Sequence, residues 1–344
     1  MKKSILLIYT GGTIGMKQDP QTGHLIPFDF KQIRGEVPEI DRFGYDIDTY
    51  SFDPVIDSSD AKPEFWARIA RVVRDNYDRY DGFVVLHGTD TMAYSASALS
   101  FMLEGLQKSV IFTGSQLPIG VLRTDGRENL ISAIELAAAT GTDGKPLVPE
   151  VCICFENKLF RGNRTTKYTS ENFSAFSSPN YPVLADVGIH IKYDLNAIHR
   201  FQPEEGPLQV HTETDTNVAI LKIFPGMTEN YVNSVLSTRD LRAVVLETFG
   251  SGNAPSLPWF LEKIRRCADS GVVIVNVTQC QAGAVDMSTY ANGAILEEAG
   301  VISGKDITTE SALTKLFYLL GRFKDSGDVK KYMTMPLRGE ISYK

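Results

Sequence analysis

The sequence predicts an α/β chain of two domains, a larger N-terminal one with an open, mostly parallel sheet flanked by helices and a smaller C-terminal α/β domain. Three observations predict it. Short apolar runs alternate with segments whose apolar residues recur at helical spacing, the signature of repeated βα winding. The alternation breaks once, between about 195 and 215, and then resumes. A chain of 344 residues is longer than one hydrophobic core usually serves.

The elements follow in order. Ser4 to Tyr9 is an apolar run that passes into the turn Thr10-Gly11-Gly12-Thr13-Ile14-Gly15. It is too short for a signal-peptide core and has no small-residue cleavage site, so it reads as the first strand. Lys17 to Gly23 is polar and reads as a mobile loop, a candidate lid. Pro54-Val55-Ile56 is a short apolar run before Asp57-Ser58-Ser59-Asp60. Pro63 stands in a first helical turn, and Phe65, Trp66, Ile69, Val72 and Val73 give that helix one apolar face. Phe83 to Leu86 reads as a strand before His87-Gly88-Thr89-Asp90-Thr91, and Met92 to Leu106 as the next helix. Val110 to Thr113, Leu130 to Ala139 and Val151 to Phe155 continue the pattern as strand, helix and strand. Residues 195–215, with Pro203 and Pro207, read as a linker between an N-terminal domain over 1–194 and a C-terminal domain over 216–344. In the latter, Val218 to Phe224, Ala243 to Leu246 and Val272 to Val277 read as strands, with helices near Leu257 to Cys267 and Ile307 to Leu320.

Bulk properties narrow the function classes. A formal charge of −7 without a dense basic run disfavours nucleic acid as a partner. No stretch approaches the ~20 apolar residues of a membrane span. Cys152 and Cys154 would share one face of a strand, a poor disulfide geometry, and no CxxC pair suggests a metal. A reducing, cytoplasmic setting and a small-molecule partner are the expectation.

The chemistry concentrates at strand ends. In an open parallel sheet the carboxyl ends of neighbouring strands line one crevice, so TGGTIG and HGTDT, far apart in sequence, are expected to meet there. Glycines let the chain turn sharply and present bare N–H donors, and the threonines bring hydroxyls. His87 fits a packed, hydrogen-bonded histidine better than a proton carrier. Asp57 to Asp60 could hold a ligand carboxylate, cap a helix, or both. Arg161-Gly162-Asn163-Arg164-Thr165-Thr166-Lys167 has the look of a solvated basic loop, although a lysine beside a threonine hydroxyl can act as a base.

In order along the chain, TGGTIG, DSSD, HGTDTM, TGSQLP, RGNRTTK, GNAP at Gly252 to Pro255 and TQC at Thr278 to Cys280 resemble the bacterial-type L-asparaginases of the cytoplasmic type I class. The resemblance implies hydrolysis of L-asparagine to L-aspartate and ammonia, without metal or organic cofactor, in a homodimer or a tetramer of two dimers. It implies Thr13 as the nucleophile that forms a β-aspartyl ester. Thr89, Asp90 and Lys167 would form the second threonine group. Asp90 would also hold the substrate ammonium, and Ser58, with Asp57 and Ser59, its α-carboxylate. Many relatives carry a tyrosine in the loop after the first threonine; none lies between Met16 and Pro27 here, which leaves Tyr290, Lys167 through Thr89, or water to take the Thr13 proton. Some relatives bind a second asparagine near the TQC cysteine. Thr166, Asn253, Thr278 and Cys280 stand at those positions, but Glu247 replaces an arginine and would repel a ligand carboxylate, so allosteric activation is expected to be weak, absent or differently built. The alternatives are a dual asparaginase/glutaminase, a subunit releasing ammonia for tRNA-dependent amidation, for which an added domain before the first strand is expected, and a non-catalytic amino-acid sensor.

Overall fold

The structure is a computed structural model that describes residues 2–18, 25–27, 33–200, 206–287 and 291–342. The chain divides into two compact units, residues 1–212 and 213–344.

The first unit is built on an eight-stranded sheet. Its strands are β1 (Ser4–Tyr9), β2 (Asp46–Ser51), β3 (Gly82–Leu86), β4 (Ser109–Thr113), β5 (Val151–Phe155), β6 (Lys158–Arg161), β7 (Ala185–Val187) and β8 (Ile191–Tyr193). Their order across the sheet is β8-β7-β6-β5-β4-β3-β1-β2. From β2 to β5 every pairing is parallel, and β5 to β8 run antiparallel. β1, β3, β4 and β5 are almost wholly buried, which is why they read as continuous apolar runs.

The helices cover this sheet as their spacing requires. The helix Pro63–Asp75 begins on its proline and buries Phe65, Trp66, Ile69, Val72 and Val73, the face read from the sequence. Leu130, Ala133, Ile134 and Ala137 of the helix Gly126–Ala138 join Ile5, Leu7, Val84 and Ile111 of the strands in one core. At roughly 1.5–3 kcal/mol for each large apolar side chain removed from water, such faces hold helix to sheet.

In the second unit the strands Val218–Lys222, Ala243–Thr248, Val273–Thr278 and Ile302–Ser303 form a wholly parallel sheet. The helices Pro258–Asp269 and Thr309–Arg322 fall where the sequence predicts them, the latter capped by the Thr308 side chain on the Ser311 N–H at 3.1 Å. Within this unit Lys315 is completely buried, its ammonium 2.5 Å from Glu340 and donating to the carbonyls of Met333 and Met335 at 3.0 and 2.6 Å.

Three expectations need correction. The helix expected to reach Leu106 ends at Met102, because Leu103–Glu104 leaves it to pair antiparallel with Gln209–Val210. No strand is expected over Asp46–Ser51, yet β2 lies there beside β1, its polar sequence suited to an edge mostly open to water. Of the expected loop over Lys17 to Gly23, Lys17 and Gln18 belong to the strand Met16–Gln18, which pairs with Leu25–Pro27; residues 19–23 lie outside the described residues.

Candidate active site

The loops leaving β1 and β3 touch backbone to backbone. β1 and β3 are adjacent, and the chain leaving β1 stays bound to β3, with the Thr10 N–H and hydroxyl both donating to Leu86 O, at 3.0 and 2.8 Å. Gly12 then turns with φ 89° and ψ 170°, a conformation open essentially only to glycine. A Cβ on Gly12 would lie 2.5 Å from Gly88 N, and one on Gly11 2.1 Å from Ile56 O. Both glycines are therefore required by close approach, and the residue after each contact, Thr13 and Thr89, is half-buried at the same place. Below the turn the Tyr9 hydroxyl donates to Gly15 O at 3.2 Å, and burial pushes that phenol up to about 12.

The Asp57–Asp60 segment joins from the loop after β2. Ile56 N–H donates to Thr10 O at 2.9 Å. Thr91 Oγ1 donates to Ser58 O at 2.7 Å instead of capping its own helix. Ser58 is buried, and its Oγ lies 2.5 Å from where a Cβ on Gly88 would stand. Asp57 caps the short turn Ser58–Asp60, accepting from Ser59 N–H and Oγ at 2.9 Å each, and those bonds hold its carboxyl below the usual carboxylate range. The expected cap on the helix at Pro63 is not formed, since that helix starts from Lys62 without a side-chain cap; Asp57 caps only its own short turn, and Asp57 and Ser59 are exposed.

Lys167 arrives from a separate hairpin, Thr166–Lys167 paired with Phe176–Ser177. Its ammonium donates to Thr89 Oγ1 at 2.9 Å and to Asp90 Oδ1 at 2.6 Å. The loop before it is not a solvated basic stretch. Arg161 is buried, bound to Glu150 at 2.6 Å and lying over the Tyr181 ring; Arg164 is buried and stacks on the same ring. Two of the three cations build the support, and only Lys167 faces the threonine.

His87 is structural. Trp66 Nε1 donates to Ser95 Oγ at 2.9 Å, Ser95 donates to His87 Nε2 at 2.8 Å, and Nδ1 donates to Gly88 O at 2.6 Å. A neutral imidazole satisfies every bond in this chain, in keeping with burial that lowers its pKa to about 4.

The comparisons with known proteins agree on one family. The family model described as "Asparaginase, N-terminal" matches residues 4–199, and that described as "Glutaminase/Asparaginase C-terminal domain" matches 217–333. The chain belongs to the asparaginase family. L-asparaginase 1 of Escherichia coli (strain K12) is 45% identical over 99% of this chain and 98% of that protein. The 60 kDa lysophospholipase of Mus musculus is 41% identical over 99% of this chain and 63% of that protein. The crystal structure of L-asparaginase I from Vibrio cholerae superposes with a TM-score of 0.90 at 42% identity, covering 100% of both chains.

In the second unit Glu247 lies on the parallel strand Ala243–Thr248. Its carboxylate accepts from Thr309 Oγ1 at 2.9 Å and lies 3.4 Å from Lys222 Nζ. Thr278 Oγ1 donates to Gly250 O at 2.6 Å and accepts from the N–H of the exposed Cys280 at 3.0 Å. Asn253 bridges back to Phe249, and Thr166 lies in the first unit. Tyr290 lies outside the described residues. Sequence reasoning missed Gln116 and Tyr9, which lie in or beside quoted motifs but carry no charge or nucleophile to draw attention.

Proposed function

We propose that this chain hydrolyses the side-chain amide of L-asparagine to L-aspartate and ammonia through Thr13. In this reading the Thr13 oxygen attacks the amide carbon, the C–N bond breaks, and the nitrogen leaves as ammonia carrying the proton that Thr13 gave up. Water then attacks the resulting β-aspartyl ester and returns a proton to Thr13. The observation that carries the reading is that Lys167 reaches Thr89 and Asp90 at 2.9 and 2.6 Å, these two standing on a loop whose Gly88 packs against the Gly12 that precedes Thr13.

A neutral Lys167 would draw the proton from Thr89, and the oxyanion would be held by fixed N–H donors beside Thr89, each worth roughly 3 kcal/mol of barrier. Asp90 would take the substrate ammonium, and Ser58 with Asp57 and Ser59 its α-carboxylate. In this reading the enzyme works without cofactor or metal, in the cytoplasm, as a dimer or tetramer. No helix of the described residues is long and apolar enough to cross a membrane.

The test is ammonia release from asparagine by the purified protein, beside Thr13→Ala and Thr89→Val. Loss of at least about a thousandfold in kcat in each variant is expected. Activity surviving both changes, or no ammonia from the unmodified protein, removes the assignment. The same assay on glutamine measures selectivity, and ester substrates test the activity that the name of the mouse relative describes.

A further inference from the structure

Gln116 stands in the loop after β4 and completes a ring around Thr89. Its Nε2 donates to the carbonyls of Ser170 and Asn172, both at 3.3 Å, in the turn of the same hairpin that carries Lys167. Two carbonyl oxygens accept only, so the amide orientation is fixed: nitrogen toward the hairpin, Oε1 toward Thr89. Oε1 also accepts only. The 3.1 Å contact between Thr89 Oγ1 and Gln116 Oε1 must therefore be a bond that Thr89 donates.

The residue is pinned from behind as well. Gln116 N–H donates to both carboxylate oxygens of Asp125 at 3.0 Å and Leu117 N–H to one at 3.1 Å, while Asn129 Nδ2 donates to Asp125 at 3.2 Å. The turn that receives Nε2 is ordered by Tyr168 N–H on Ala175 O at 2.7 Å and by Glu171 N–H on Thr169 Oγ1 at 3.3 Å.

We propose that Gln116 is a positioning residue of this site, holding the Thr89 hydroxyl proton away from Lys167 so that the Thr89 lone pairs receive the Lys167 ammonium. The inference rests on the asparaginase reading above and deepens it. While Thr89 donates to Gln116, charged Lys167 has an acceptor in Thr89 and neutral Lys167 has no donor there. Asp90 stands on the other side of the ammonium, its carboxylate 2.6 Å from Nζ. Without Gln116 the hydroxyl is free to turn and donate to a neutral amine.

The experiment is the pH dependence of kcat for asparagine in Gln116→Met and Gln116→Glu, with the unmodified protein in parallel. Gln116→Met leaves the Thr89 hydroxyl free to donate to a neutral Lys167, so kcat on the high-pH plateau and KM are each expected to stay within about threefold. Its rising pH limb should move to lower pH by about one unit, the size of one hydrogen bond to a charged group. Gln116→Glu keeps an oxygen toward Thr89 and adds a negative charge near Lys167, so its limb should move to higher pH. Shifts of opposite sign support the proposal. Limbs unmoved or moved the same way overturn it, as does loss of fold in either variant, which would make Gln116 a structural clamp. If the unmodified protein releases no ammonia, the asparaginase reading fails first and separately.

Discussion

Replacing Gly12 by alanine tests the contact on which the site is built. At φ 89° and ψ 170°, an alanine sits in a region that costs about 1–3 kcal/mol. Its methyl would stand 2.5 Å from Gly88 N and 2.6 Å from Gly88 Cα, backbone atoms that cannot swing aside. Forcing such a group into a packed site costs about 1–3 kcal/mol more. The sum, about 4 kcal/mol, should lower the melting temperature of the first unit, residues 1–212, by roughly 10 °C. Thr13 is the next residue, and a displacement near 1 Å lowers turnover by about a hundredfold. The control is Gly144→Ala, where φ is 77° but nothing lies within 4 Å. It carries strain alone, roughly 1–2 kcal/mol, and should leave turnover intact. Thermal melts and ammonia release on the three proteins decide. If Gly12→Ala melts beside Gly144→Ala and keeps more than half of its activity, the two loops are not in contact.

The remaining predictions concern charge and regulation. His87 has its pKa lowered by burial from 6.5 to about 4, so the unfolded chain takes up a proton that the folded one refuses. Stability is intact above about pH 6.5 and should fall by about 3 kcal/mol as pH drops toward 4, read from denaturant midpoints in His87→Gln and unmodified protein across that window. Removing Glu340 by Glu340→Ala leaves the fully buried Lys315 without its partner and should cost about 3–5 kcal/mol, whereas Lys315→Met combined with Glu340→Leu should recover most of that loss; urea titration separates the two. Rate against asparagine concentration should be hyperbolic, since Glu247 would repel a second carboxylate; a sigmoidal curve counts against this.

Much of the architecture was legible because buried parallel strands and one-faced helices leave plain apolar patterns, as in β1, β3 and the helix that begins at Pro63. β2 escaped because its hydrogen bonds to β1 ask nothing of side chains that face water. The early end of the helix at Met102 escaped because Leu103 is as apolar as the helix before it, and only its pairing with Val210 moves it into a strand. At the site, hydroxyls, carboxylate and amine announced themselves by type. What stayed hidden was arrangement: Arg161 and Arg164 look like surface cations until Tyr181 and Glu150 are seen around them, and Gln116 looks neutral until its two carbonyl partners fix its direction.

The glycine against glycine seam has a consequence for anyone redesigning this catalyst. Because main chain meets main chain between Gly12 and Gly88, neither of these residues has a side chain to be exchanged for a larger or smaller one. Changes in substrate preference must come from the rim, where Asp57 and Ser59 are open to solvent, while the seam itself stays as a fixed datum from which every reacting atom is measured.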